Sequence, residues 1–228
     1  VLQRADRQPQ LTGRFAEVFF SIQGEGVTAG LPAVFIRLQG CSVGCQWCDT
    51  KYSWDPGAGR EVALGDLVEE ASAFACRRGV ITGGEPLESS LFAPLVEALK
   101  GRGFTLEVET SGTLAPPPVP VDQWNVSLKL AGSGVSEAKR IDAGAIRQFL
   151  GLGAWWKFVV VDAADVAEVL RLAERFAIPR EKILLMPEGV RREEILERSP
   201  WVIEECQRHG YRFSPRLHVL FWGARRGV

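Results

Sequence analysis

The stretch Cys41-Ser42-Val43-Gly44-Cys45-Gln46-Trp47-Cys48-Asp49-Thr50 decides how the rest of the chain is read. Three cysteines fall within eight residues, spaced C-x-x-x-C-x-x-C, just after the apolar run Ala33-Val34-Phe35-Ile36-Arg37-Leu38, which reads as a buried strand. Spacings this short make a loop curl its thiols around a common centre, so a metal ion or an iron–sulfur cluster is the natural occupant. Zinc is the first rival, but a structural zinc site wants four protein ligands, usually as two pairs. No second pair follows, and the two histidines, His209 and His218, lie far along the chain. Three thiolates suit a four-iron cluster that leaves its fourth iron open to a small molecule. An accidental group of reduced surface thiols is the bland alternative.

The strand ahead of the loop alternates. Val34, Ile36 and Leu38 share one face, and Ala33, Phe35 and Arg37 share the other. An arginine inside a buried strand is costly unless an anion or a hydrogen-bond network receives it. Two readings of Arg37 stay open: a salt bridge to an internal carboxylate such as Glu107 or Glu109, or a planar fork for a ligand carboxylate beside the cysteine loop.

Helical periodicity covers 61–78, with Leu64, Leu67, Val68, Ala71 and Ala75 at helical spacing, then 88–100, 163–176 and 191–208, the last interrupted at Pro200. Strand candidates are Phe15–Phe20, 33–38, Gly79–Thr82, Thr105–Thr110, Asn125–Leu130, Trp155–Val161 and Ile183–Met186. The mostly apolar Tyr211–Trp222 reads as a further strand or a sheet edge. Strands separated by helices predict parallel β/α units. A full eight-unit barrel typically needs about 250 residues, and this chain has 228. The expected fold is therefore α/β: a partial, open β/α barrel of about six parallel strands. Residues 1–13 read as a flexible N-terminal segment and 14–228 as one domain.

Hydrophobic content of 46% and charged content of 24% are ordinary for a soluble globular protein. A net charge of −1 gives no reason for a nucleic-acid track or an anionic membrane partner. No apolar run approaches the ~20 residues of a membrane span, and the first residues lack a signal-peptide pattern. Five cysteines, three of them in one loop, do not make a disulfide scaffold; Cys76 and Cys206 read as core or boundary residues. The expected location is the cytoplasm.

In such folds the site lies at the C-terminal ends of the strands. Gly83-Gly84-Glu85-Pro86 follows one strand, where bare backbone and a helix N-terminus could meet a charged ligand; a plain strand-to-helix turn is the bland reading. Ser21-Ile22-Gln23-Gly24-Glu25-Gly26 is a tight glycine-rich turn that matches neither dinucleotide nor P-loop spacing.

The cysteine spacing, with the aromatic Trp47 before the last cysteine, resembles the radical S-adenosylmethionine (SAM) superfamily. That resemblance implies a [4Fe-4S] cluster on Cys41, Cys45 and Cys48, with SAM chelating the unique iron. Gly83, Gly84 and Glu85 resemble the motif that meets the amino group of SAM. Ser127-Leu128-Lys129 resembles a segment for its carboxylate and ribose, although members often have proline where Leu128 stands. Met186-Pro187-Glu188 resembles the segment lining the adenine, and Trp47, Asp49 and Ser111 fall on the SAM side too. The turn at 21–26, the run 33–41, Cys48-Asp49-Thr50, Thr82–Pro86, Glu109–Thr113, Leu217-His218-Val219 and Arg225–Val228 narrow the likeness to the 7-carboxy-7-deazaguanine synthase family. Membership implies conversion of 6-carboxy-5,6,7,8-tetrahydropterin to 7-carboxy-7-deazaguanine with loss of ammonia. By position, Ile22, Gln23, Gly24 and Glu25 would contact the pterin, Arg37 its carboxylate, and Thr82 and His218 would complete the pocket. For His218 a satisfied structural histidine is the competing reading. Mg²⁺ on Thr50, an external electron donor of the flavodoxin or ferredoxin type and a homodimer also follow from the resemblance. Two other readings stay open: a different radical SAM enzyme such as a glycyl-radical activase, and a non-enzymatic metal-binding module.

Overall fold

The β-branched and aromatic runs between the helices join one nine-stranded sheet. The computed structural model describes residues 11–223 and 225–228. In chain order the strands are β1 (Thr12–Ile22), β2 (Pro32–Leu38), β3 (Arg60–Ala63), β4 (Arg78–Gly83), β5 (Thr105–Thr110), β6 (Gln123–Val126), β7 (Trp155–Val160), β8 (Ile183–Pro187) and β9 (Arg212–Phe213). Their order across the sheet is β3-β1-β2-β4-β5-β6-β7-β8-β9. From β2 to β9 every neighbouring pair is parallel. β1 runs antiparallel to both β2 and β3. With β3 and β9 at opposite edges the sheet stays open, as expected for a partial barrel.

The helices are α1 (Leu64–Ser72), α2 (Phe92–Gly101), α3 (Glu137–Arg140), α4 (Ala143–Gly151), α5 (Ala163–Phe176), α6 (Arg192–His209) and α7 (Leu217–Trp222). Period-two alternation sorts each strand between two surroundings. Val34, Ile36 and Leu38 of β2, Leu106 and Val108 of β5, and Trp156, Phe158 and Val160 of β7 enter one apolar core with Leu67 of α1, Leu95 of α2, Phe149 of α4, Val169 of α5 and Val202 of α6. The intervening residues Phe35, Arg37, Val80, Thr82, Glu109, Lys157 and Val159 line a cavity on the other face. Burying the apolar face stabilises the fold at about 25 cal/mol per Å². The polar set on the inner face has no such role, and that points to binding.

Several elements differ from the sequence-based expectation. The 61–78 helix is shorter because Arg60–Ala63 pairs with β1 as an edge strand, which satisfies backbone that a helix would otherwise have to. The strand expected at Asn125–Leu130 sits earlier: Ser127 N donates to Thr110 O (2.7 Å) as the chain leaves the sheet. In 211–222 only Arg212–Phe213 is strand. Pro215 lacks the N–H to extend the ladder, and Leu217–Trp222 coils into α7, its first N–H donating to Gly24 O (2.9 Å). α6 runs unbroken through Pro200, held by buried Ile195, Val202 and Cys206. Thr12 and Gly13, expected in a flexible segment, belong to β1; the rest of that expectation, residues 1–10, lies outside the described residues. Among the described residues no helix is long and apolar enough to cross a membrane.

Candidate active site

The cysteine loop leaves β2 at Gly40, whose φ of +105° is a conformation that favours glycine. Two neighbours clamp this start. Gly40 N and Cys41 N donate to Ser53 O (2.8 Å) and Trp54 O (3.0 Å), and Glu85 N donates to Gly40 O (2.8 Å). Gly84 is needed here for closeness: a Cβ on it would lie 1.9 Å from Gly40 O and 2.9 Å from Cys41 Cβ. Farther along, Gln46 N donates to Ser133 O (2.9 Å) and Gln46 Nε2 to Gly132 O (2.8 Å). Val43 and Cys45 pack on Val135, with Cys41 and Cys48 against them. The segment after β6 thus props the loop from beneath.

Within the loop the thiols are unequal. The neighbouring Cys48 sulfur and burial both push the Cys45 thiol up. Cys48 is held down at about 5 by its neighbour Cys45, against burial, with help from the hydrogen bonds of Thr50 and Trp54. Burial raises Cys41.

A cavity of about 480 Å³ opens beside the loop, at the C-terminal ends of the parallel strands. Cys41, Cys45 and Cys48 line it, as do Trp47, Asp49 and Thr50. Ile22, Gln23, Gly24 and Glu25 reach it from the end of β1, Arg37 and Thr82 from β2 and β4, and His218 from α7. Gly83, Gly84, Ser111, Ser127, Lys129, Met186 and Glu188 complete the expected set. Glu85, Leu128 and Pro187 do not line it. Glu85 is 1% exposed and accepts from Thr110 Oγ1 (2.7 Å), Ser111 N (2.7 Å) and Ser111 Oγ (2.5 Å), so it pins β4 to β5. Leu128 is in the apolar core, and Pro187 pairs with Val160 within the sheet.

Charge on the inner face is closely balanced. Lys157, 4% exposed, donates to Glu25 Oε2 (2.5 Å) and Glu109 Oε2 (2.8 Å). Arg216 joins Glu25 Oε1 (3.1 Å), Asp49 and the carbonyl of Gly189, tying three segments together. Burial alone would raise Glu25, but Lys157, Arg216 and His218 overcome it and hold this carboxyl far below the usual range. Burial pushes Glu109 up despite Lys157. Burial also lowers His218, against the pull of Glu25, so the imidazole is neutral near pH 7. Arg37 does not reach Glu107 or Glu109. Its Nε donates to Glu17 (2.9 Å), its direct cross-strand partner in β1, and its Nη1 to Gly83 O (3.2 Å). Tyr52 Oη donates to the same Glu17 oxygen (2.6 Å).

Sequence reasoning passed over Lys157, Arg216, Glu17, Tyr52 and Trp54 as cavity residues. A signal existed for Lys157: like Arg37, it is a charge inside an apolar strand, Trp155–Val160. Arg216 and Trp54 carry no such mark.

Glu25, Asp49 and His218 bring ligating atoms within 4.8 Å of one another. Both Glu25 oxygens already face cations, so the trio is an ion-pair node rather than a free metal site. Among the described residues the cysteines form no group that tight. A single zinc with bonds of about 2.3 Å would need one; three neighbouring thiols at one end of a cavity fit a larger cluster with an open face. The model of the radical SAM superfamily matches residues 35–125. Over 224 residues the chain is 42% identical to 7-carboxy-7-deazaguanine synthase of Pyrobaculum aerophilum, covering 94% of this chain and 96% of that protein. It is 35% identical to that of Hyperthermus butylicus, covering 91% and 92%. The crystal structure of QueE from Escherichia coli superposes with a TM-score of 0.72 at 29% identity, covering 91% of this chain and 95% of that one. Likeness of this extent, on a chain whose strand ends gather the cysteine loop and a charged cavity, places it in the 7-carboxy-7-deazaguanine synthase family of the radical SAM superfamily.

Proposed function

We propose that this chain converts 6-carboxy-5,6,7,8-tetrahydropterin to 7-carboxy-7-deazaguanine, releasing ammonia as the ring contracts, in the route to queuosine and other 7-deazapurines. One observation carries the reading: a single cavity has the three cysteines at its wall and Gln23, Glu25, Arg37, Thr82 and His218 within it. Cys41, Cys45 and Cys48 would hold the [4Fe-4S] cluster. SAM would lie against Gly83, Gly84, Ser111, Ser127, Lys129, Met186 and Glu188, with Trp47 and Asp49 beside it. When bound, these groups supply the 5′-deoxyadenosyl radical that takes hydrogen from carbon 6 of the pterin.

The chain's own work is binding and orientation. Arg37 uses two of its five N–H donors on Glu17 and Gly83, and the rest offer a fork to the pterin carboxylate. Lys157 fixes Glu25 and Glu109 as acceptors for the N–H groups of the pterin. His218, neutral, offers an uncharged partner and is held against Gly24, where a Cβ would lie 2.2 Å from its Nδ1. Holding the substrate in one pose turns its carbon 6 towards the reacting group. Thr50, on the cavity wall, would ligate Mg²⁺, an ion that commonly completes its octahedron with water and substrate oxygens. An external electron donor of the flavodoxin or ferredoxin type and a homodimer belong to the same reading.

Anaerobic reconstitution with iron and sulfide, followed by turnover of the carboxytetrahydropterin with SAM, tests it. Deazaguanine and ammonia should form together. A protein that binds the cluster and cleaves SAM, yet leaves the pterin unchanged, would belong to another radical SAM reaction, such as glycyl-radical activation.

A further inference from the structure

Trp54 touches two of the three cysteines. Its backbone carbonyl accepts from Cys41 N (3.0 Å), and its indole Nε1 donates to Cys48 Sγ at 3.3 Å. The residue follows the single helical turn Lys51–Ser53 and is locked there by its own N–H to Lys51 O (3.1 Å). The Lys51 ammonium lies 5.7 Å from the indole centroid. Thr50 N donates to the same sulfur at 3.4 Å. Backbone donors come with any tight loop. A side-chain N–H brought to a sulfur from six residues away, on a partly buried ring lining the cavity, needs its own explanation.

We propose that Trp54 is a positioning residue that sets the reduction potential of the cluster held by Cys41, Cys45 and Cys48, through the indole N–H···S bond to Cys48. The inference rests on reading these cysteines as cluster ligands. One-electron reduction, by whatever donor supplies the electron, puts negative charge on the cluster and its sulfurs. An N–H aimed at a ligating sulfur stabilises that reduced form more than the oxidised one, so potentials follow hydrogen bonds to the sulfurs. Partial burial strengthens the effect by lowering the local dielectric. Trp54 thus makes the cluster easier to reduce.

The test is an anaerobic redox titration of the reconstituted enzyme, followed by electron paramagnetic resonance, with Trp54→Phe beside the wild type. Phenylalanine keeps an aromatic ring for packing and removes the N–H. The variant should load iron and sulfide fully, with its reduction equilibrium shifted about tenfold towards the oxidised form, about 59 mV more negative for a one-electron couple. An unchanged potential in a fully loaded variant overturns the proposal. If the variant loads poorly, the Trp54-containing enzyme decides. Indole-nitrogen-15-labelled protein carrying Trp47→Phe, which silences the neighbouring indole, should show a nitrogen coupling to the reduced cluster by electron–nuclear double resonance. Absence of that coupling overturns it equally. A wild type that forms no cluster at all would instead sink the reading of the cysteines.

Discussion

Lys157→Met removes the ammonium from β7 and leaves a flexible apolar side chain in its place, so the change is chiefly electrostatic. In the wild type the ammonium lies 2.5 Å from Glu25 and 2.8 Å from Glu109. Without it Glu25 keeps Arg216 at 3.1 Å, whereas Glu109 retains only the amides of Gln23 (3.5 Å) and Asn125 (3.0 Å). Removing one partner of a buried ion pair costs about 3–5 kcal/mol. A buried carboxylate that loses its cation takes up a proton instead of staying charged. Burial already raises Glu109 against the pull of Lys157, and the substitution takes that pull away. A carboxyl with a folded pKa above its unfolded one loses stability as pH rises between the two, by about 1.36 kcal/mol per pH unit. Lys157 itself has a raised pKa, so its contribution is full throughout the neutral range and is lost only in strong alkali. Glu25, depressed, likewise contributes fully above the ordinary carboxyl range. The deficit of the variant should therefore widen as pH rises from about 5.5 to about 8, because Glu109 is raised further once the pull of Lys157 is gone. Urea unfolding of the cofactor-free chain at both values, followed by tryptophan fluorescence, measures it. Equal deficits at the two pH values, or one below about 1 kcal/mol at the higher, would refute the reasoning.

Three further outcomes follow from the proposed function and the cavity that would carry it. Arg37→Lys keeps the charge and loses the planar fork; it should fold and carry its cluster, bind the pterin more weakly by ~1.5–3 kcal/mol, and release more deoxyadenosine per product. Wild-type values for affinity and for that ratio would make Arg37 a structural partner of Glu17 alone. Gly84→Ala puts a Cβ 1.9 Å from Gly40 O, backbone that can yield only by moving the cysteine loop, so iron content after reconstitution should fall steeply. Thr50→Ala should raise the Mg²⁺ concentration needed for half-maximal turnover while leaving the visible spectrum of the cluster intact; an unchanged requirement removes Thr50 from the metal site.

How much was legible in advance depended on how local each feature is. The cysteine loop is written in eight consecutive residues, because a short loop leaves its thiols few directions in which to point. Strand alternation was legible for the same reason: Arg37 was placed opposite Ile36 and Leu38, and the structure puts it on the cavity face. Its partner was not legible. Glu107 and Glu109 were natural choices for a parallel neighbour, but β1 lies antiparallel on β2 and sets Glu17 directly across from Arg37. Of 211–222 the edge strand Arg212–Phe213 agrees with the reading and the helix Leu217–Trp222 does not, because apolar content cannot separate a buried strand from a short helix.

The sequence by itself determined the spacing of the cysteine loop, the β/α alternation and the family. Only tertiary structure decided the charge network of the cavity. Lys157 and Glu25 are 132 residues apart, Arg216 and Asp49 167, and Arg216 and Glu25 191. No local pattern records such pairings, since a charge is buried or solvated according to which strands become neighbours. Once sheet order sets β5 and β7 on either side of β6, with the end of β1 and the start of α7 closing over them, the low dielectric between them requires every charge to find its opposite.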